Sequence, residues 1–299
     1  MSAQVTTDPA LLAEAAALRR AVFVGEQGVP EDLEYDGRDG VATHVVLQRD
    51  GRVIGTARMF DEGACAVVGR VAIAPELRGQ GLGAVVMQAA ERWAGEQGVP
   101  VVELHAQQQV VGFYERLGYA GVGDSYLEAG IPHLTMRKGL LPGLRPVADA
   151  DSEALIELIG GIWAEYPTIV LDIDGEEPWL RAPATSYQGR GELWVLPAAD
   201  GSGLLACVGW RPYPGGTGDT ELKSLYVAAK SRRAGLGSRL VRFIERRVGG
   251  RSRLTAWSDT RFTDSHAMYE RLGFTRTGAT RELHDRSETI EFEFVGRDA

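Results

Sequence analysis

Two glycine-rich blocks carry the clearest chemical signal in this sequence of 299 residues. They are Arg78-Gly79-Gln80-Gly81-Leu82-Gly83 and Arg232-Arg233-Ala234-Gly235-Leu236-Gly237, and each lies between a strand-like run and an amphipathic helical pattern. Backbone N–H groups at a helix start, together with the helix dipole, form a phosphate-binding site. Glycine allows the backbone to approach an anion closely and to adopt positive φ. The blocks therefore predict phosphate-binding loops, although one such block alone could also be a turn that binds nothing.

An internal repeat explains why the block occurs twice. The glycine block recurs after 154 residues, and Tyr114-Glu115-Arg116-Leu117-Gly118-Tyr119 recurs after 155 residues as Tyr269-Glu270-Arg271-Leu272-Gly273-Phe274. A period of this length is that of a domain, so the sequence predicts two tandem copies of one fold. Glycine and proline interrupt both periodicities at 138–143. We place the boundary near residue 140, with a first copy at 1–139 and a second copy at 140–299.

The same order of elements is predicted in both copies. Asp50-Gly51 between two apolar runs is the signal of a type I′ hairpin, and alternating strands and helices imply a mixed sheet covered by helices. In the first copy we expect a helix at 9–23, strands at 41–47, 52–59 and 66–74, a helix at 84–94, a strand at 99–105 and a short helix at 110–116. In the second copy we expect a helix at 152–163, strands at 193–195, 204–210 and 221–227, a helix at 238–248, a strand at 253–257 and a short helix at 265–271.

Composition and charge exclude several classes of function. The net charge of −9, divided as −6 and −3 between the copies, argues against binding to nucleic acid or to anionic lipid. Cys65 and Cys207 lack the spacing of a zinc site, so we expect no metal and a reducing compartment. The N-terminus does not look like a signal peptide, and no run is apolar for the roughly 18 residues of a membrane helix. We therefore expect a cytoplasmic protein.

The glycine blocks do not fit the common nucleotide-binding motifs. A Rossmann fingerprint reads G-x-G-x-x-G, and a P-loop places Lys-Ser/Thr after the glycines. The pattern R-x-x-G-x-G, found at Arg78–Gly83 and Arg232–Gly237, resembles instead the signature of the GNAT superfamily of acetyl-CoA-dependent N-acetyltransferases. The Tyr-Glu-Arg-Leu-Gly-aromatic blocks are similar to the last motif of that superfamily. The first copy also resembles the ElaA-type branch through its residues 22–30 and 128–133.

The resemblance implies an α/β (α+β) fold with two tandem GNAT-like domains, each a mixed, mostly antiparallel sheet flanked by helices. It implies that acetyl-CoA places its diphosphate on each glycine loop and its pantetheine arm between two splayed strands. Those strands would end near Ile73 and Ala106 in the first copy and near Val227 and Ser258 in the second. Backbone N–H groups near Val71 and Val227 would polarise the thioester carbonyl. The expected cofactor-binding residues are Val71, Ile73, Arg78, Gly79, Gln80, Gly81, Leu82 and Gly83, and Tyr226, Val227, Arg232, Arg233, Ala234, Gly235, Leu236, Gly237 and Ser238.

The resemblance also implies catalytic roles. Tyr269 and Tyr114 match the tyrosine that protonates the departing thiolate, but either can simply anchor its helix. Glu221 opens a strand where many GNAT members carry the general base, but it can also pair with Lys223 or an arginine. The corresponding residue of the first copy is Val67, which cannot accept a proton. That copy therefore uses another base, for which Glu26, His133 and His44 are candidates, or acts through water, or binds cofactor without catalysis.

The expected function is acetyl transfer to the amine of a small molecule or to a peptide amino terminus, with the second copy as the expected catalyst. The acceptor would be shaped by the loops at 23–39 and 163–179. The second loop has acidic and aromatic residues suited to a cationic amine, and Arg58 and Arg70 could bind an anionic acceptor in the first copy. The alternatives are a CoA-binding sensor or scaffold without turnover, and a structural first copy that supports the second. Either a monomer or a homodimer is compatible with the sequence. The residues that would line the second loop are Trp163, Asp172, Asp174, Glu176, Glu177 and Trp179.

Overall fold

A computed structural model describes residues 2–214, 218–249 and 253–296 of the chain. It divides the chain into two compact units, Met1–Leu140 and Leu141–Ala299. Each unit contains one seven-stranded sheet with helices packed against it. Both sheets are mixed, with a single parallel pair of strands and antiparallel pairing elsewhere. This architecture confirms the predicted fold class of two tandem α/β copies.

The first unit begins with a short strand and a long helix before the main sheet. Helix α1 (Pro9–Arg19) continues as a π-helical segment at Arg20–Glu26, which runs past the predicted end at residue 23. The strand order in the sheet is β1-β2-β3-β4-β5-β7-β6. The remaining elements are β1 (Ala3–Thr6), α2 (Glu31–Glu34), β2 (Thr43–Arg49), β3 (Arg52–Asp61), β4 (Ala66–Ile73), α3 (Leu82–Glu96), β5 (Val101–Gln107), α4 (Val111–Arg116), β6 (Ala120–Glu128) and β7 (Ile131–Gly139).

The second unit has the same strand arrangement, in the order β13-β14-β12-β11-β10-β9-β8. Its helix α5 (Ser152–Trp163) has the predicted bounds. The other elements are β8 (Arg145–Pro146), α6 (Pro183–Tyr187), β9 (Glu192–Pro197), β10 (Leu204–Pro212), β11 (Thr220–Val227), α7 (Leu236–Val248), β12 (Leu254–Asp259), α8 (Thr263–Arg271), β13 (Thr275–Glu282) and β14 (Ile290–Val295).

The central helix of each unit covers one face of its sheet. In the first unit, Val86, Met87 and Ala90 of α3 are fully buried against β2 to β5. In the second unit, Leu240 and Ile244 of α7 occupy the same place. The predicted type I′ hairpin is confirmed, because Arg49 pairs with Arg52 and both loop residues have positive φ. Within the three described ranges, no helix is long and apolar enough to cross a bilayer, and no group of side chains is arranged to hold a metal ion.

A buried network of charges lies beside α1 in the first unit. Arg19 and Glu34 are each 1% exposed, and Arg19 Nε lies 2.5 Å from Glu34 Oε1. Arg70 Nε lies 2.7 Å from Glu34 Oε2, and Arg58 forks onto Asp36 at 2.6 and 2.7 Å. Arg58 and Arg70, which we considered as ligands for an anionic acceptor, are thus engaged with carboxylates of the chain itself. These ion pairs attach the loop at 23–39 to the sheet.

Replacing Glu34 by Gln should destabilise the first unit by about 3 kcal/mol, because it removes the carboxylate shared by the buried Arg19 and the half-buried Arg70. Hydrogen exchange of first-copy amides in the full chain measures this loss. Glu31→Gln is the matched control, since Glu31 pairs with Arg20 in an exposed ion pair worth less than about 1 kcal/mol. Equal losses in the two variants would contradict the importance of the buried network.

Candidate active site

A gap opens between the two parallel strands of each sheet. In the first unit β4 pairs with β5 only at Ala66–Val102, Val67–Glu103 and Val68–Leu104, and both strands then continue without pairing to each other. In the second unit β11 and β12 are likewise paired at three positions, from Thr220–Leu254 to Leu222–Ala256. Each gap therefore lies at the carboxyl ends of the parallel strands. The predicted strand ends, near Ile73 and Ala106 and near Val227 and Ser258, border these gaps.

A β-bulge on the first strand of each pair turns that strand away from its neighbour. The register of β4 against β3 shifts between Gly69 and Ala72, where Arg70 has a φ of 54°. The register of β11 against β10 shifts at the matching place, where Ser224 has a φ of 50°. A bulge inserts an unpaired residue and bends its strand. Both copies have a non-glycine residue in the left-handed region at this position, so the bend is a shared feature of the two sheets.

The bulge leaves residues of β4 and β11 outside the pairing with their antiparallel neighbours. Val71 follows Arg70 and has no partner in the register between β3 and β4 within the described sheet. Its equivalent in the second copy is Leu225, which is also outside the register of its neighbours there. The predicted Val227 instead pairs with Ala206 of β10. The register therefore makes Leu225, and not Val227, the residue of β11 equivalent to Val71.

The two glycine loops have the backbone form of an anion-binding nest. Gly79 and Gly81 have φ values of 76° and 77°, and the equivalent Arg233 and Gly235 have 65° and 75°. Gly81 and Gly235 are the N-cap residues of α3 and α7, and among the described residues no side chain caps either helix. A Cβ on either N-cap glycine would meet nothing within 4 Å among the described atoms, so the space before each helix start is open. Uncapped amides facing open space at a helix start fit a diphosphate.

The last glycine of each block lacks the positive φ that we predicted and has a packing role instead. We expected Gly83 and Gly237 to need positive φ or a close approach to the anion, but neither has positive φ. A Cβ on Gly83 would lie 3.0 Å from Phe113 Cζ of α4, and one on Gly237 would lie 3.0 Å from Met268 Sδ of α8. These two glycines therefore allow close packing between the central helix and the tyrosine-bearing helix.

The arginines that open the blocks form the same clamp in both copies. Arg78 donates from Nε to the Ile73 carbonyl at 3.2 Å and forks onto Glu26 at 2.6 and 2.8 Å. Arg232 donates from Nε to the Val227 carbonyl at 2.9 Å and forks onto Glu165 at 2.6 and 2.7 Å. Each arginine therefore joins the end of the splayed strand to the end of the first helix. The fork lowers the pKa of Glu26 below its ordinary range, which makes Glu26 a poor candidate for the missing base.

The remaining predicted cofactor-binding residues differ in how far their side chains are exposed. Leu82 and Leu236 are buried in the cores of their units, so only their backbone N–H groups are available at the helix start. Tyr226 is half-buried beside Trp163, with ring centroids 6.4 Å apart, and burial raises its pKa. The loop residues Gln80, Arg233 and Ala234 are exposed, and Ser238 is half-buried in the first turn of α7.

The repeated tyrosine blocks end their helices in the same way. The N–H of Tyr119 donates to the Tyr114 carbonyl at 3.1 Å, and the N–H of Gly118 donates to the Glu115 carbonyl at 2.9 Å. Phe274 and Gly273 make the equivalent bonds to Tyr269 and Glu270, at 3.0 Å each. This pair of bonds is a Schellman motif, which requires a left-handed residue such as Gly118 or Gly273. The motif fixes the tyrosine ring against the aromatic residue that follows the glycine.

Both tyrosine side chains are buried phenols. Tyr114 is 7% exposed and Tyr269 is 5% exposed. Burial raises the pKa of Tyr114 to about 12 and also raises the pKa of Tyr269. Both phenols therefore carry their proton at neutral pH, which is the state that a proton donor requires.

Glu221 is buried and ion-paired. It is 4% exposed, and its Oε1 lies 3.1 Å from Lys223 Nζ and 3.1 Å from Arg281 Nη2. The pairing that we considered as an alternative is thus present, with an arginine from β13 added to it. Leu222 is in the core, so Glu221 points to the opposite face of the sheet, away from α7.

The histidines considered as bases of the first copy are both buried. His44 Nε2 lies 3.0 Å from the Asp39 carbonyl, and His133 Nδ1 lies 2.8 Å from the Ile131 carbonyl. His44 is 5% exposed and His133 is 9% exposed. His133 also stacks on Tyr126, with centroids 6.2 Å apart. Both rings are engaged in local structure.

The acidic loop of the second copy is largely neutralised by arginines. Asp172 pairs with Arg286, Asp174 pairs with Arg181, and Glu176 accepts a hydrogen bond from the backbone N–H of Arg286. Glu177 differs, because it accepts a hydrogen bond from the Trp179 indole, and burial raises its pKa. The buried Trp163 indole nitrogen has no partner among the described residues.

Comparison with known proteins identifies the family. The description "Acetyltransferase (GNAT) domain" matches residues 8–140, and "Acetyltransferase (GNAT) family" matches residues 157–274. The uncharacterized N-acetyltransferase YjcF of Bacillus subtilis is 32% identical over 139 residues, which cover 46% of this chain and 99% of that protein. Protein ElaA of Escherichia coli is 31% identical over 133 residues, which cover 42% of this chain and 84% of ElaA.

The crystal structure of Escherichia coli ElaA aligns with a TM-score of 0.42 and 27% identity, covering 46% of this chain and 99% of that one. ElaA and the Bacillus protein match the first half of the chain. The predicted resemblance is therefore confirmed. The chain belongs to the GNAT acetyltransferase family and carries one domain of that family in each half.

Proposed function

We propose that this acetyltransferase moves the acetyl group of acetyl-CoA to the amine of a small molecule or to a peptide amino terminus, and that both copies bind the cofactor. The repeated glycine loop carries this proposal, because two uncapped helix starts face open space beside two splayed strand pairs. Bound acetyl-CoA would supply the activated thioester. Its diphosphate would lie on the amides of Leu82 and Gly83 in the first copy, and on those of Leu236 and Gly237 in the second.

The residues around the gap in the second copy can serve the remaining needs of acetyl transfer. The N–H of Leu225 can polarise a carbonyl in the gap, and the Tyr269 phenol can protonate a departing thiolate. Glu221 remains our proposed base, and Glu177 is a second candidate because burial raises its pKa. Glu177, Trp163 and Trp179 also suit a cationic amine, because the loop's other carboxylates are engaged by arginines or by backbone.

Calorimetric titration of the full chain with CoA, followed by acetyl transfer to a panel of primary amines, tests the proposal. We expect two CoA molecules per chain and turnover with at least one cationic amine. Glu221→Gln and Glu177→Gln should separate the candidates, because only loss of the base lowers kcat by roughly 10²-fold or more. Binding of CoA without turnover on any amine would favour the sensor, and absence of CoA binding would contradict the proposal outright.

A further inference from the structure

The first copy lacks an acid on the strand where the second copy has Glu221, but it has one on the neighbouring strand. Val67, the equivalent of Glu221, pairs directly with Glu103 of β5, and Glu221 pairs with Thr255 of β12. The carboxylate is therefore on the second strand of the parallel pair in the first copy and on the first strand in the second copy. In both copies it lies at the same position along the pair. Because paired residues of neighbouring strands point to the same face, Glu103 lies on the same face of its sheet as Glu221 does.

The surroundings of the two carboxylates are also alike. Glu103 is 13% exposed and lies 2.5 Å from Arg137 of β7, and Glu221 lies 3.1 Å from Arg281 of β13. Each arginine comes from the last hairpin of its unit. Each carboxylate thereby has an arginine partner on the face of the sheet opposite its central helix. Both copies therefore have a carboxylate paired with an arginine at this level of the sheet, on neighbouring strands of the parallel pair.

His105 lies two residues after Glu103, at the edge of the gap. The last pair between β4 and β5 is Val68–Leu104, so His105 is the first residue of β5 beyond the paired region. Leu104 and Ala106 are in the core beneath α3, and His105 therefore points to the opposite face. Its side chain is 42% exposed, in contrast to the buried His44 and His133. The equivalent residue in the second copy is Trp257, which cannot accept a proton.

Two neighbours fix the orientation of the His105 ring. Its Nδ1 is hydrogen-bonded to the Tyr126 hydroxyl, and its Nε2 lies 3.8 Å from Glu103 Oε1. Tyr126 stands between two histidines, because it packs edge-on against His105 and stacks on His133. The Tyr126 hydroxyl can accept a hydrogen bond from Nδ1–H, and in that tautomer the Nε2 lone pair is available to take a proton.

We propose that His105 is the general base of the first copy, and that Tyr126 and Glu103 position it. This inference rests on the proposed function and adds that the two copies activate the amine with different groups. Nε2 takes a proton from the ammonium of the acceptor, which leaves a neutral amine to attack the thioester carbonyl. Carbon–nitrogen bond formation breaks the carbon–sulfur bond. The thiolate takes a proton from Tyr114, which regains one from the attacking nitrogen, and His105 returns its own proton to water.

An electrophilic analogue tests the position of His105 without knowledge of the acceptor. Bromoacetyl-CoA places an alkylating carbon where the acetyl methyl would lie, so a nucleophilic nitrogen near the gap displaces bromide and forms a stable C–N bond. The full chain with Cys65→Ser is used, because Cys65 is a half-buried free thiol that could compete. We expect mass spectrometry to find the adduct of the first copy on His105, and excess CoA to prevent it.

Controls separate this inference from the proposed function. The exposed His284 of the second copy should stay unmodified, and Tyr126→Phe should slow the labelling of His105 by roughly fivefold, the value of one hydrogen bond, without changing CoA affinity. Two CoA molecules bound per chain with no adduct on His105, or with the first-copy adduct on another residue, would overturn the assignment of His105. No CoA bound by the first copy would instead overturn the proposed function for that copy, and this inference with it.

Discussion

Replacing Gly81 by Val should remove CoA binding from the first copy and leave the second copy unchanged. Gly81 is the N-cap of α3 with a φ of 77°, which a β-branched residue adopts only with strain of about 1–2 kcal/mol or more. The loop would relieve this strain by turning its amides away from the anion. Losing two charge-assisted hydrogen bonds weakens binding on the order of a hundredfold. Titration calorimetry should therefore find one CoA per chain instead of two.

Gly51→Val is the matched control for this variant. Gly51 has a φ of 76° in the hairpin between β2 and β3, and a Cβ there would meet nothing within 4 Å among the described atoms, as at Gly81. Both variants therefore carry similar backbone strain in the same unit, but only Gly81 lies at a helix start. If Gly51→Val weakened CoA binding as much as Gly81→Val, general destabilisation and not the loop would explain the loss.

Local patterns in the sequence were enough to predict the glycine loops. Gly81 and Gly235 have the left-handed φ that alternate glycines suggest, and the helices after them follow from their apolar spacing. The reason for Gly83 could not be predicted in the same way. It depends on the contact with Phe113, which is set by how α4 packs on α3. A glycine in a motif therefore does not by itself indicate positive φ, because a close tertiary contact can also require glycine.

Contacts between distant residues account for most of the other differences. The partner of Arg78 is Glu26, 52 residues earlier in the sequence, and nothing near either residue indicates the pair. The strands β6 and β13 were missed because almost all of their residues are exposed. A strand without a buried face has no apolar alternation, so its pairing with β7 or β14 alone defines it. His105 was missed for a related reason, since only the parallel register places it at the gap.

Replacing Tyr269 by Phe should lower kcat of the second copy by roughly 10³-fold and leave the affinity for CoA unchanged. The phenol is buried, burial raises its pKa, and the Schellman motif after α8 fixes its ring. Phenylalanine keeps the packing against Phe274 and Phe294 but removes the proton that the thiolate would take. Steady-state kinetics with an amine acetylated by the second copy measure the change.

The comparison of three tyrosine variants distinguishes a proton donor from a packing residue. Tyr213→Phe removes a hydroxyl that donates to Glu293 in the same unit, 3.2 Å away, and should leave kcat unchanged. Tyr114→Phe should affect only acceptors of the first copy, because Tyr114 occupies the equivalent position there. A Tyr269→Phe enzyme with nearly full kcat would make Tyr269 a helix anchor. Protonation of the thiolate would then fall to water.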